Sequence, residues 1–354
     1  MSADPKIIRG RGALDNPTNR FEKIHLEKDL DTVEAGDDDV SPRTQIFKDN
    51  TQTALTRNDS PDVGFEFSVN PYRGCEHGCI YCFARPTHEF LGWSSGLDFE
   101  TKILVKENAP ALLRKDLSAK KWKPQTVIMS GVTDCYQPLE KKLRITRGCL
   151  EVFAEFRNPV AIITKNHLVT RDIDLLQRLA EHNAVRVNVS VTTLDSKLAA
   201  VMEPRTSMPE ARIDAIRQLS RAGIPVNVMV APIVPAITDH EIISIIGRAV
   251  EAGATSAGYT VMRLPYAVKD LFTQWVQTHF PDRSEKVLNR IRELRGGKLN
   301  DSTWGTRMHG EGIFAEQIAK TFDVACRKFG IDKPRPEMST ASFRRPPSDQ
   351  LELL

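Results

Sequence analysis

RGCEHGCIYCFARP, residues 73–86, sets three cysteines within eight positions: Cys75, Cys79 and Cys82, spaced C-x3-C-x2-C. Thiolates this close in sequence suit a shared inorganic centre, and cysteine thiolates are the usual ligands of iron–sulfur clusters. A four-iron cluster held by three cysteines leaves one iron open to a substrate or cofactor, much as catalytic zinc keeps one position free. Gly74 and Gly78 let the backbone wrap tightly and turn N–H groups inward. The alternative is structural zinc, with His77 or His88 as the fourth ligand. Zinc sites more often come as paired C-x2-4-C knuckles, and this chain has no second pair.

Outward from this loop the chain alternates. FEFSVNP, just before it, reads as a strand. TVIMSG (126–131), VAIITKN (160–166), AVRVNVSVTT (184–193), PVNVMVAPIVP (225–235) and TSAGYTVMRLP (255–265) repeat that reading. Short apolar runs bounded by turns suit strands buried on both faces. Between them KENAPALLRKDLSAK, KKLRITRGCLEVFAEF, RDIDLLQRLAEH, PEARIDAIRQLSRAGI and DHEIISIIGRAVEAGA read as helices, two of them closed by Gly223 and Gly253. Strand–helix alternation of this length implies β-α units on a parallel sheet. Six units predict an α/β fold with a partial (β/α)6 barrel, whose chemistry sits at the C-terminal ends of the strands. There is no internal sequence repeat.

Three regions follow. Residues 1–60 form an N-terminal extension, basic and turn-rich at first, then acidic in LEKDLDTVEAGDDDVSP, and are expected to be partly disordered. Residues 61–265 form the barrel. Residues 266–354 form a helical C-terminal segment, with DLFTQWVQTHF, DRSEKVLNRIREL and FAEQIAKTFDVACRKFG as helices and a loose proline-rich tail. GTRMHGEG, residues 305–312, matches no phosphate-loop pattern and reads as a lid or barrel-closing loop.

Of the 354 residues, 40% are hydrophobic, enough for a large core. Lysine plus arginine number 49 against 46 aspartate plus glutamate, a net charge of +3, which is no strong nucleic-acid footprint but leaves room for a local basic groove. The start has no apolar signal run, and no apolar stretch is long enough to span a bilayer. Six cysteines in so long a chain are no disulfide scaffold. A cytoplasmic protein is expected.

The cysteine spacing, with Tyr81 just before the last cysteine and the loop after the first strand, resembles the radical S-adenosylmethionine (SAM) superfamily. NPYRGCEHGCIYCFARPTHEFLG, SGVTDCYQPLE and EPRTSMPEARIDAIRQLSRAGIPVNVMVAPIVP are similar to its branch related to spore photoproduct lyase and DNA repair photolyase-like proteins. The resemblance, over roughly residues 60–330, implies a radical SAM barrel with a 4Fe-4S cluster on Cys75, Cys79 and Cys82. It also implies SAM on the open iron, a one-electron reductant of flavodoxin or ferredoxin type, and a 5′-deoxyadenosyl radical acting on an unidentified substrate, nucleic acid among the options. Tyr81 then neighbours the adenine or simply packs the loop. Ser130, Gly131 and Asp134, in place of the common Gly-Gly-Glu, accept from the SAM amino group or merely end a strand. Lys165 offers a point charge to the SAM carboxylate. Ser190 and Thr192, on one side of a strand, offer hydroxyls to the ribose. Arg205 is a carboxylate clamp or an ion-pair partner of Glu203 or Asp195. Cys135 is a hydrogen-atom donor with Tyr136 as relay, or a packed small hydrophobe. His77 and His88 read as surface loop residues. Two other function classes stand beside this one: a non-enzymatic iron–sulfur electron carrier or redox sensor, which normally has every iron ligated by protein, and a zinc-stabilised binding module.

Overall fold

The structure is a computed structural model, and it describes residues 8–21 and 42–346. Most of the acidic stretch of the extension lies outside the described residues.

Among the described residues, ten strands form two sheets. They are β1 (Gln45–Lys48), β2 (Leu55–Arg57), β3 (Phe67–Val69), β4 (Tyr72–Arg73), β5 (Lys102–Val105), β6 (Val127–Met129), β7 (Val160–Thr164), β8 (Val185–Ser190), β9 (Val226–Ile233) and β10 (Ser256–Val261). The large sheet has the order β10-β9-β8-β7-β6-β3-β2. Its six strands β3 and β6–β10 are parallel, and β2 runs antiparallel along the β3 edge. These six are the strands expected from the sequence, in the expected order. The small sheet, β1-β5-β4, was not anticipated and braces the start of the cysteine loop.

The strands are buried on both faces for different reasons. Val185, Val187 and Val189 of β8, with Val226, Val228 and Val230 of β9, point to the helices and form the main core. Arg186, Asn188 and Ser190 alternate with them and face the barrel interior. Against that apolar face pack α2 (Ala109–Ser118), α4 (Ile145–Phe156), α5 (Ile173–Ala180), α7 (Pro209–Arg221) and α8 (Ile242–Glu251). Leu175, Leu176 and Leu179 of α5 show the helical spacing of a one-sided apolar stripe. Gly223 and Gly253, at φ +76° and +104°, end α7 and α8 in the left-handed conformation. The helix expected over residues 141–156 is broken. Arg144 takes φ +57°, so a short α3 (Glu140–Leu143) precedes α4.

A second core lies under the cysteine loop. Ile80, Tyr81 and Met202 meet Val268, Phe272 and Trp275 of α9 (Val268–His279) and Val287 and Ile291 of α10 (Ser284–Glu293). The C-terminal helices therefore carry the site from below. α11 (Gly312–Lys328) packs on α8 instead.

The two sheet edges, β10 and β2, do not pair with each other, so the barrel is open on one side. Residues 301–310 cross that opening as a strap. Met308 O accepts from Val261 N at 2.9 Å. Buried Arg295 donates to Val261 O, Met262 O, Thr306 O and Arg307 O. At its other end the strap holds the β2–β3 turn: Gly305 N donates to Asp62 at 2.7 Å, and Arg307 pairs with Asp62 and Ser60. The tail runs beneath the barrel and is held along its described part. Asn183 bonds to Glu337 O and Ser339 N, Arg344 N donates to Phe156 O, and Phe343 packs on Phe156.

Candidate active site

The loop that follows β4 holds the three cysteines, and all three are free thiols. Gly78 N donates to Cys75 O at 3.4 Å and Cys82 N to Cys79 O at 3.2 Å, so the loop is wound into turns. Gly74 and Gly78 adopt φ +83° and +67°. A Cβ on Gly78 would come 2.7 Å from the Glu100 carboxylate, so glycine is required there by space as well as by angle.

Arg85, wholly buried, organises the turns. Its Nε donates to Cys79 O, Nη1 to Ser95 O and Gly96 O, and Nη2 to Gly78 O and to Glu100 at 2.6 Å. Glu100 in turn accepts from Gly12 N and Ala13 N at 3.1 and 2.9 Å. The start of the N-terminal extension is therefore part of the loop's support, and α1 (Leu97–Thr101) supplies the carboxylate. From the far side, Ile80 N donates to Met202 O and Arg205 N to His77 O.

Burial pushes all three thiols upward, and for Cys75 the Asp134 carboxylate adds to it. Metal binding would replace those protons. Three thiols fit a cluster, in which each serves a different iron. Among the described residues no group of three His, Cys, Asp or Glu side chains could hold a single metal ion. Both histidines are buried. His77, read from sequence as a surface residue, is 2% exposed, with Nδ1 3.4 Å from Asp134 and Nε2 3.2 Å from Asn166. His88 is equally buried, its Nε2 bonded to Lys102 O at 2.9 Å, and burial lowers its pKa to about 4. His77 therefore has both ring nitrogens engaged, whereas His88 Nδ1 has no hydrogen-bond partner.

Tyr81 lies in the second core with its hydroxyl donating to Glu203. Glu203 gathers the site. Thr192 Oγ1 donates to it at 2.7 Å, Lys165 Nζ lies 3.7 Å away, and buried Arg212 closes an ion pair with it. Lys165 Nζ also donates to Ala231 O at 2.9 Å and lies 5.9 Å from the centre of the Tyr81 ring. Burial alone would raise the Glu203 carboxyl. Arg212 and Lys165, with the bonds from Tyr81 and Thr192, outweigh it and bring the pKa down to about 2. Sequence reasoning considered Glu203 only as an ion-pair partner of Arg205. Arg205 instead pairs with Glu76 at 3.3 Å.

Asp134 is a second junction. It accepts from Tyr136 N, Thr164 Oγ1 and Lys165 N at 2.9, 2.8 and 2.7 Å, tying the ends of β6 and β7 together. Ser130, at φ +75°, ends β6, and its hydroxyl accepts from Cys135 N at 2.7 Å; Gly131 follows it. Ser190 stands on the interior face of β8, two residues before Thr192, and its carbonyl accepts from Arg212. Tyr81, Lys165, Thr192 and Glu203 are thus brought together beside the cysteine loop, with Asp134 on its other side near His77. Cys135 and Tyr136 are not. Both are 0% exposed in the main core, with Tyr136 Oη donating to Asp172 at 3.1 Å. The packed alternative for Cys135 describes where it stands.

A loop of three cysteines at the end of the first strand of an incomplete six-strand barrel defines a class, and the comparisons agree. The Radical SAM superfamily profile matches residues 69–249, and the chain belongs to that superfamily. It is similar to an uncharacterised protein of Mycobacterium tuberculosis, 36% identical over 232 residues, 65% of this chain and 67% of that one. It is also similar to a radical SAM Nα-GlyT isomerase of Pseudomonas phage M6, 28% identical over 273 residues, 75% of this chain and 54% of the isomerase. In fold it matches spore photoproduct lyase complexed with dinucleoside spore photoproduct, with TM-score 0.59 and 16% identity, covering 81% of this chain and 80% of that one. The protein is a radical SAM enzyme. Among the described residues no helix is long and apolar enough to cross a membrane.

Proposed function

We propose that Cys75, Cys79 and Cys82 hold a 4Fe-4S cluster whose open iron takes SAM, and that the enzyme acts on nucleic acid. When bound, the cluster would pass one electron from a flavodoxin- or ferredoxin-type donor to SAM, releasing methionine and a 5′-deoxyadenosyl radical that abstracts a substrate hydrogen. The observation that carries this reading is the loop itself: three free thiols wound on one set of turns, with no fourth cysteine beside them among the described residues. An electron carrier with every iron ligated by protein has no such opening. With all six cysteines unpaired, a reducing, cytoplasmic setting suits the chain.

The chain's own residues have definite tasks in this reading. Glu203 and Arg212 fix Tyr81 and Thr192 against the adenosyl side of the site. Lys165 supplies a positive charge for the SAM carboxylate. Asp134, with Ser130 and Gly131 beside it, supplies oxygen acceptors for the SAM amino group. Arg85 and Glu100 hold the loop rigid and out of water.

Nucleic acid is favoured by the rim. Phe83, directly after Cys82, is 49% exposed with Arg263 5.6 Å from its ring centre. Trp304 on the strap is 52% exposed with Arg307 at 4.0 Å, and Tyr266 after β10 is 62% exposed with Arg20 at 3.8 Å. Exposed rings interleaved with guanidinium groups are stacking platforms for unpaired bases.

The test is anaerobic. Protein reconstituted with iron and sulfide is given SAM and dithionite, and 5′-deoxyadenosine is measured by chromatography. Wild type should form it and Cys79→Ala should not. Stoichiometric zinc, no cluster uptake and intact SAM would overturn the assignment.

A further inference from the structure

The interior face of the sheet is polar well below the cysteine loop. Register places Asn188 of β8 opposite Asn227 of β9, and Asn227 opposite Ser256 of β10. Two residues before Asn188, and so on the same face, stands Arg186. The tail brings a second guanidinium to the same face, two residues higher, where Gly258 pairs with Met229. A Cβ on Gly258, on that face of β10, would lie 3.4 Å from Arg335 Nη2. Arg186 also donates to Pro336 O, which ties it to the same stretch of tail.

The donors here outnumber their partners. Ser256 Oγ donates to Asn227 Oδ1 at 2.9 Å, which turns the Asn227 amide one way and leaves Nδ2, buried and without a hydrogen-bond partner. Asn227 itself is 0% exposed. Among the described residues neither Arg186 nor Arg335 has a carboxylate within ion-pair distance, and Arg186 is lowered by burial and then by the Arg335 charge. Two guanidiniums that feel each other's charge without an anion, on the sheet face that also carries an orphaned amide donor, suit an oxyanion. The net charge of such a pair suits phosphate better than a single carboxylate.

We infer that the lower half of the barrel interior binds a phosphate group of the substrate, held by Arg186, Arg335 and the Asn227 amide. The inference rests on the radical SAM reading only in placing the reacting end of that substrate at the cysteine loop. Arg186 lies four residues before Ser190 on one strand, roughly 13 Å at about 3.3 Å per residue. A nucleotide-sized group spans that gap, with its base toward the loop and its phosphate below. Arg335 is exposed, and half-buried Met229 and Gly258, level by register with Ser190, continue the same face toward the loop.

The experiment measures binding of thymidine, thymidine 5′-monophosphate and a short oligothymidylate to the full chain at fixed salt. The monophosphate should bind at least about tenfold more tightly than thymidine, since charge-assisted bonds are made to it alone. Arg186→Gln and Arg335→Gln should each erase most of that difference while leaving thymidine affinity unchanged. Arg335 is an exposed tail residue, so its variant carries the test if the strand variant fails to fold. Equal binding of thymidine and its monophosphate, or a monophosphate preference that survives Arg335→Gln, overturns the site. Tighter binding of the oligothymidylate than of the monophosphate assigns the phosphate to a strand, and equal binding assigns it to a free nucleotide; both support the site. A wild type that binds the monophosphate in this way yet makes no 5′-deoxyadenosine would sink the radical reading and leave the phosphate site standing.

Discussion

At the scale of single residues, Glu203 anchors several side chains of the site. Its carboxylate is wholly buried, and it is the acceptor for Tyr81, Thr192 and Arg212. Glu203→Gln leaves the Arg212 charge buried without a counter-charge, and breaking a buried pair in this way costs about 3–5 kcal/mol. Urea denaturation should show that loss, and the SAM KM should rise because Tyr81 and Thr192 lose their anchor. The same group makes stability depend on pH. Its folded pKa, about 2, lies below its ordinary value of 4.5. The contribution is therefore complete above pH 4.5 and lost as pH falls from there toward 2, a change of about 3 kcal/mol. Acid titration followed by circular dichroism should find that step in wild type and not in Glu203→Gln.

At the scale of elements, the cysteine loop is closely packed where Gly78 meets Glu100. Gly78→Ala imposes a left-handed alanine, about 1–2 kcal/mol, and drives a methyl group into Glu100. Reconstituted Gly78→Ala should therefore bind less iron per chain than wild type while its strand content stays the same. The strap behaves differently. Its hold on the β2–β3 turn runs through Asp62, which takes both Gly305 N and Arg307, and through Ser60, so Asp62→Ala should speed amide exchange across residues 301–310 and leave β7–β9 protected.

At the scale of the whole molecule, the six barrel strands were legible because each is a short apolar run between turns. The alternation on β8 was legible too, and Ser190 and Thr192 were placed on one side by it. The small sheet was not: β1, QIFK, is mostly exposed and has no apolar run to betray it. The break at Arg144 left no mark, since neither glycine nor proline stands there. Lys165 and Thr192 were found by their positions at strand ends. Glu203 and Arg212 were missed as a pair because their partners come from four separate segments. His77 and His88 were misjudged because other segments cover the loop: Asp134 and Asn166 meet His77, and Trp93, Phe99 and Lys102 meet His88. Charge was the least informative measure. A net charge of +3 hides a local arrangement of Arg20, Arg263 and Arg307 at the rim and Arg186 with Arg335 below. Affinity for single-stranded nucleic acid should accordingly fall as salt rises, with a log–log slope of roughly −2 to −3 if three or four phosphates are neutralised.

The bonds from the loop to Met202 and Arg205 also order events in time. Chain synthesis delivers Gly12, Arg85 and Glu100 early, so one flank of the loop can settle while the ribosome is still at work. The other flank waits for a segment more than a hundred residues downstream. Until that segment emerges, the thiols are only half sheltered, and iron delivered then would sit in a vestibule open to oxygen. If the three thiols hold the proposed cluster, its assembly follows translation of the fourth barrel strand, and a nascent chain stalled before residue 200 should take up iron without retaining it.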